Sequence, residues 1–469
     1  MTFYSGWLRC SLLLALICNP ALANEPNPSA GSIDPGLALP APEATSTATE
    51  AAQTFDLGTP ELTFQDQDEP ELVAPDTASY QFYITDLENR HGPYAPGLSE
   101  QLLGLGSVYQ GQGLHQEAIK TFKRGIHLAR INNGLNSSEQ IPLLEHMIRS
   151  LVSIGEYSTA DERQTYLYRI QRQVYGDRSV EMASAMMRRA AWEWEAYNLQ
   201  LTDGAFTRLL NMAQLYASVL NNIASREGAY SAKLLEPLIG LLQTQNLIMR
   251  YSNPSSGFVA GSASDSLYAE ESQFTMLRVS NYKRGQAAIA ALKQVYDYNE
   301  GEDSLSSISS IIQMGDWHLM HGKRDAAIST YQLAWQTLAA REEASAEQGE
   351  ASAEEGGTGI EEADASVEEV VETTASWFTE PVMLPDLAGF PRDIPPPSTV
   401  KGYAEVSYYI SPRGRVRSLE LLNWEDITGD EEAREPVYLL RQIKGSLYRP
   451  ILRDGEPVAT ETIQKRYAY

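Results

Sequence analysis

The chain has 469 residues, 43% of them hydrophobic and 21% charged, enough for one or two ordinary cores and too mixed for a wholly unfolded chain or an integral membrane protein. Its formal charge is -26, yet residues 24–75 hold 10 acidic side chains and residues 342–372 hold 12, with no Lys or Arg in either stretch. The remainder is nearly balanced, which excludes a basic surface for nucleic acid or for a polybasic membrane contact.

Residues 1–23 read as a secretory signal: Arg9 as the charge, Leu12 to Cys18 as the apolar run, Pro20, then Ala21-Leu22-Ala23 before Asn24. The apolar run is far shorter than the roughly 20 residues of a spanning helix. Cleavage after Ala23 is expected, giving a periplasmic protein with no membrane span; the alternative is an uncleaved segment that anchors the chain in the inner membrane. Lipid attachment at Cys18 is disfavoured by Ile17, which is not small. Cleavage removes both cysteines, Cys10 and Cys18, and with them any disulfide, thiolate nucleophile or cysteine metal site. Residues 24–75, rich in Pro, Ala, Thr and acids, carry too few large apolar side chains to offset the entropy of ordering, and are expected to be a disordered tether.

Residues 76–340 keep apolar side chains at helical spacing with few internal prolines, so an all-helical domain is expected. Within 99–132, Gly106, Tyr109, Gly113, Ala118, Phe122 and Gly125 form the small-and-large pattern by which two antiparallel helices nest. The spacings return at Gly315, Gly322, Ala327, Tyr331 and Ala334, with His318 at the place of Tyr109. A weaker copy has Leu151, Gly155, Ala160 and Leu167, departing at Ile148 and Gln164. This pattern resembles the tetratricopeptide repeat (TPR). Helices near 183–198, 203–224, 230–249 and 270–298 keep the periodicity without the signature. The expectation is one TPR-like α-solenoid of eleven to thirteen helices, with a division near the Ser, Gly and Asn-rich loop 251–266 as a variant. A concave face able to take a partner peptide or helix would follow, while the signature residues themselves are read as packing residues.

Residues 341–399 form an acidic, low-complexity and then Pro-rich linker, expected to be disordered apart from an apolar island from Trp377-Phe378 to Leu387. That island reads either as an extension of the next domain's core or as an internal ligand docking on the solenoid groove or the C-terminal sheet. Residues 400–469 switch to alternation. Ala404, Val406, Tyr408 and Ile410 predict a strand, and Val416, Leu419, Leu421 and Leu422 a second. The run Val437 to Leu447 predicts a helix, and Ile463, Tyr467 and Tyr469 a last strand. The order makes a small α+β (ββαβ) unit.

Several motifs fall in an order that resembles the C-terminal domain of TonB proteins: Ile410-Ser411-Pro412-Arg413-Gly414-Arg415-Val416, the helix leading into Leu447-Tyr448-Arg449-Pro450, and Arg453-Asp454-Gly455-Glu456-Pro457-Val458 before an aromatic strand. Gly389-Phe390-Pro391 looks like the aromatic-proline pair that often precedes that domain. The resemblance covers about 70 residues. It implies that a peptide from an outer-membrane transporter adds to the last strand, here Glu461, Thr462, Ile463, Gln464, Lys465, Arg466 and Tyr467. A free sheet edge suits that role, although Lys465 and Arg466 also read as protection against edge aggregation. Arg449 and Pro450 are expected to end the helix and set the following turn. The chain departs from TonB energy transducers in lacking an anchoring helix of full length, a His before His91 and a basic and acidic proline span.

Chemistry is sparse. His91, His115, His127, His146, His318 and His321 form no His-Glu-x-x-His helix, and His318 with His321 lacks an acidic ligand in register. Ser280 and Lys283 make a Ser-x-x-Lys pair without the other motifs of penicillin-recognising enzymes. Asn136-Ser137-Ser138 is a formal glycosylation sequon, irrelevant in a bacterial periplasm. No catalytic residue, cofactor or metal site is expected, and the chain reads as a non-enzyme. The expected function is a periplasmic interaction scaffold whose partners are proteins of the cell envelope, an outer-membrane receptor among them. The alternative is a TonB-type energy-transducer component in receptor-dependent transport.

Overall fold

The computed structural model describes residues 76–201, 204–251, 267–354, 377–387, 390–397, 399–428 and 435–469. The signal, the acidic tether, the loop 252–266 and residues 355–376 of the linker lie outside the described residues. Among the described residues, five antiparallel helix pairs follow a first helix α1 (Thr77–His91): α2 (Leu98–Gly111) with α3 (His115–Asn133), α4 (Gln140–Ser153) with α5 (Tyr157–Tyr175), α6 (Val180–Asn198) with α7 (Ala205–Glu227), α8 (Leu235–Tyr251) with α9 (Leu267–Glu300), and α10 (Leu305–Met320) with α11 (Arg324–Glu354). Side-chain caps fix several starts. Asp76 accepts the Ser79 N–H at 2.8 Å, and Ser179 and Ser304 cap α6 and α10 in the same way. Helix α11 runs past residue 340, where the sequence reading places the end of the solenoid, because its Ala and Glu residues are strong helix formers.

The turn inside the pairs repeats atom for atom. Leu114 N–H donates to Tyr109 C=O, Glu156 to Leu151 and Lys323 to His318, at 2.8, 2.9 and 2.8 Å, around Gly113, Gly155 and Gly322 at φ 75°, 78° and 73°. Such a 6→1 bond around a left-handed residue closes a helix C-terminus, and glycine adopts that φ without a Cβ penalty. The α6–α7 turn makes the same bond, Leu201 N–H to Ala196 C=O at 3.2 Å, around Gln200 at φ 52°. From Gly113 to Gly155 is 42 residues and from Gly155 to Gln200 is 45, longer than the roughly 34 of a TPR. The architecture is a TPR-like stack with lengthened helices.

A single hydrophobic cluster runs from Met182 through Leu209, Leu238 and Ala288 to Trp317, joining α6 to α10. It crosses the position of the loop at 251–266, so the stack is not divided there.

The C-terminal sheet has the order β2–β1–β5, all antiparallel: β1 (Gly402–Ile410) in the centre, β2 (Val416–Asp426) and β5 (Ile463–Ala468) at the edges. Alternation puts Ala404, Val406, Tyr408 and Ile410 on the inner face, covered by Leu439 and Ile443 of α12 (Val437–Gly445). The expected ββαβ order gains a small hairpin, β3 (Ile451–Arg453) and β4 (Glu456–Val458), turning at Asp454-Gly455.

Candidate interaction surfaces

The TPR signature residues sit where helices meet. A Cβ on Gly106 would lie 2.3 Å from the Phe122 ring, one on Gly125 2.7 Å from Leu143, and one on Gly315 2.5 Å from the Tyr331 ring. Ala118, Phe122, Ala327, Tyr331 and Ala334 are fully buried. Tyr109 is half-buried, and its hydroxyl accepts a bond from Gln81 of α1 at 3.1 Å. Gly113 and Gly322 make the repeated turn. These residues hold the stack together and offer nothing to a ligand.

Of the seven residues marked for partner binding, Ile463 to Tyr467 lie in β5, and Glu461 and Thr462 precede it. Tyr469 and Gly402 exchange both backbone bonds, at 2.9 and 3.1 Å, which fixes the phase of the β1–β5 ladder. Ile463, Lys465 and Tyr467 therefore bond inward to β1, while Gln464, Arg466 and Ala468 turn their N–H and C=O groups outward. Among the described residues no backbone group pairs with that edge. The β1–β5 register runs unbroken from Tyr403 to Tyr408, whereas β2, at the opposite edge, has two register shifts and Ser418 at φ 48°. Bulges of that kind discourage edge pairing, so β5 is the receptive edge. Its charges are engaged: Lys465 pairs with Asp393 at 2.5 Å, and Arg466 pairs with Glu425 and covers the Tyr403 ring at 4.4 Å.

Arg449 does not serve as a helix stop; α12 ends at Gly445. Its side chain is 3% exposed and reaches Asp316 of α10, Nε to Oδ1 at 3.0 Å and Nη2 to Oδ2 at 2.6 Å, and Asp386 of the linker at 3.0 Å. Tyr331 donates its hydroxyl to the same Asp316 at 2.7 Å. Burial pulls the guanidinium down, but the two carboxylates outweigh it and hold its pKa above the ordinary value. Burial beside Asp316 pushes the Tyr331 phenol well up. The guanidinium thus stays charged and the phenol stays a donor.

The apolar island joins this contact. Phe378 and Leu384 pack with Ile308, Tyr331, Leu338 and Leu452 over the open end of the last helix pair, while Met383 enters the C-terminal core. Leu384 N–H donates to Leu447 C=O, and Arg449 N–H to Val382 C=O, both at 2.8 Å. The island is at once an extension of the C-terminal domain and a clamp on the solenoid. Nothing in the sequence pattern signalled Asp316, which sits inside an apolar helix and reads as one more polar residue.

A second buried charge cluster ties α5, α6 and α7. Arg208 donates to Asp161 at 2.6 and 3.1 Å and to Glu193 at 2.9 Å, and the Trp192 indole donates to Asp161 at 2.7 Å. Burial raises the Asp161 carboxyl, and the Arg208 and Trp192 bonds overcome it, leaving the pKa low. Arg189 adds a bond to Glu193 at 2.6 Å, so both carboxylates of the cluster are met by guanidinium donors, as a packing element requires. His318 meets the Tyr282 hydroxyl through Nδ1 at 3.0 Å, and His321 meets Asn281 through Nε2 at 3.1 Å. Among the described residues no three His, Cys, Asp or Glu side chains converge on a common point, and no helix is long and apolar enough to cross a membrane.

No family model matches the chain, and no curated protein matches it. Among solved structures it is similar to BtubC (BKLC) from P. vanneervenii, with 14% identity over 57% of this chain and 91% of that one and a TM-score of 0.31. It is also similar to the nearly identical TPR-like repeats of a kinesin light chain-type protein from Podosopora anserina, with 13% identity over 52% of this chain and 95% of that one and a TM-score of 0.30. A single-substitution form of those repeats gives 13% identity, 53% and 98% coverage and 0.29. TM-scores this low carry no argument, and the TPR-like architecture stands on the recurring turns and helix contacts described above.

Proposed function

We propose that this chain is a periplasmic interaction scaffold of the bacterial cell envelope, in which a TPR-like array presents a TonB-like C-terminal module that takes up an extended partner segment by strand addition. The observation that carries this reading is the outer edge of β5, where Gln464, Arg466 and Ala468 offer backbone donors and acceptors in an unbulged register. An outer-membrane receptor is the envelope protein this module would meet.

Proline at position 464 tests it. The Gln464 N–H points away from β1, so Gln464→Pro removes an outward donor and keeps the ladder, whereas Lys465→Pro deletes an inward bond. Affinity capture from detergent-solubilised envelopes should recover a barrel receptor with the wild-type chain and lose it with Gln464→Pro at unchanged melting temperature. Equal recovery with both chains would overturn strand addition at this edge.

A further inference from the structure

Three arginines meet where the C-terminal sheet rests on the stack. The turn between β1 and β2 is held in place: Gly414 N–H donates to Ser411 C=O at 2.8 Å, Tyr448 N–H donates to Gly414 C=O at 2.9 Å, and a Cβ on Gly414 would lie 3.2 Å from Leu319 at the end of α10. Val416 turns into the core, so its neighbours Arg415 and Arg417 share the opposite face of β2. Burial, and then repulsion by Arg417 and by Arg324 at the start of α11, pulls the Arg415 pKa below its ordinary value. Arg324 and Arg417 are exposed and Arg415 is half-buried. Among the described residues none of the three forms an ion pair, whereas Arg124, Arg208, Arg226, Arg449 and Arg466 each hold a carboxylate. Asp325 and Glu420, the acids closest to them in the chain, are exposed and pair with none of them. In a chain with 62 acidic side chains against 36 Lys and Arg, three guanidiniums left together without an acid are an unmet demand for one.

We propose that Arg324, Arg415 and Arg417 are the docking site for an extended acidic segment of a partner protein, with carboxylates on alternate residues. Same-side residues of a strand repeat every ~6.6 Å, so Arg415 and Arg417 present their forks at the spacing at which an extended peptide presents residues i and i+2. Each fork takes one carboxylate on two parallel bonds, and Arg324 carries the positive field onto the stack. A polyanion as large as nucleic acid or an anionic bilayer would also meet the rest of a chain charged -26, while a short segment meets only the cluster. This face lies at β2, across the sheet from β5, and the inference does not depend on strand addition.

The test uses the full chain and a labelled peptide with three Glu at alternate positions among Ser and Gly, beside an isomer whose three Glu are contiguous. At low ionic strength, fluorescence anisotropy should show the alternating peptide bound more tightly than its isomer. Arg415→Gln with Arg417→Gln should weaken its binding about tenfold, as the loss of two exposed ion pairs predicts. Arg90→Gln with Arg130→Gln, which removes the same charge from α1 and α3, should leave it unchanged. If melting shows that the first variant has lost its fold, Arg417→Gln alone replaces it, with a loss of about threefold expected. No binding to wild type, equal binding by a folded variant, an equal loss in the control pair, or no preference between the isomers overturns the inference. Displacement of the peptide by inorganic phosphate at equal concentration assigns the site to a single oxyanion and overturns it as well.

Discussion

Asp316 shows how much one side chain can decide. It receives two bonds from Arg449 and one from Tyr331 in a site closed to water. Removing one partner of a buried pair strands the other, at a cost of about 3–5 kcal/mol. The residual Asp386 contact at 3.0 Å places Asp316→Ala near the lower end. Urea denaturation should show that loss, and protease should reach residues 377–392 faster. His318 gives a signal of its own. Burial lowers its pKa from the ordinary 6.5, so below that pH the unfolded chain takes a proton that the folded chain refuses. The stability contribution is complete above pH 6.5 and falls as pH drops from there toward the lowered value, by at most about 1.4 kcal/mol per pH unit. A series of melts from pH 7.5 to 5 should be flatter for His318→Gln, which keeps an acceptor for Tyr282, than for wild type. Asp316 did not announce its role in the sequence, because it and Arg449 stand 133 positions apart and no local rule relates them.

Single elements were more legible. The pairs α2–α3 and α10–α11 could be read from spacing because their close approaches require Gly facing an aromatic ring, as Gly106 faces Phe122 and Gly315 faces Tyr331. The α6–α7 pair was read as two helices without the repeat signature because Gln200 stands where its counterparts have glycine, while the backbone makes the same turn. A residue with a Cβ pays about 1–2 kcal/mol in that conformation, partly offset by the chain entropy glycine would lose. Gln200→Gly should therefore stabilise the array by about 0.5–1 kcal/mol, measured by thermal melting. In the C-terminal unit, alternation identified β1, but the hairpin β3–β4 went unread as strands because each has only three residues, too short to show a period. The edge was located within two residues of its true start; its phase, which decides the donors that face outward, needed the Tyr469–Gly402 pair.

At the scale of the whole molecule the sequence separated two domains, and the coordinates join them. Leu452, Phe378 and Leu384 cover Ile308, Tyr331 and Leu338 at the open end of the stack, the place where solenoids need a cap. Deleting residues 377–469 should therefore expose that apolar face, and the remaining chain should aggregate or associate in size-exclusion chromatography at concentrations where the full chain does not. Composition could foretell a linker but not its docking, since Trp377 to Leu387 suits a clamp and an extended core equally well.

The cap also constrains how such a chain can change over generations. An additional helix pair appended after α11 would bury Tyr331 and Leu338 against itself and displace Arg449 from Asp316, so lengthening at that end destroys the joint. Growth or loss of pairs is compatible with the joint only upstream, toward α1, where Phe82 and Tyr83 are exposed at 68% and 52%. Among descendants of this architecture, pair number should vary ahead of α8, while the last two pairs travel with the C-terminal domain as a single heritable block.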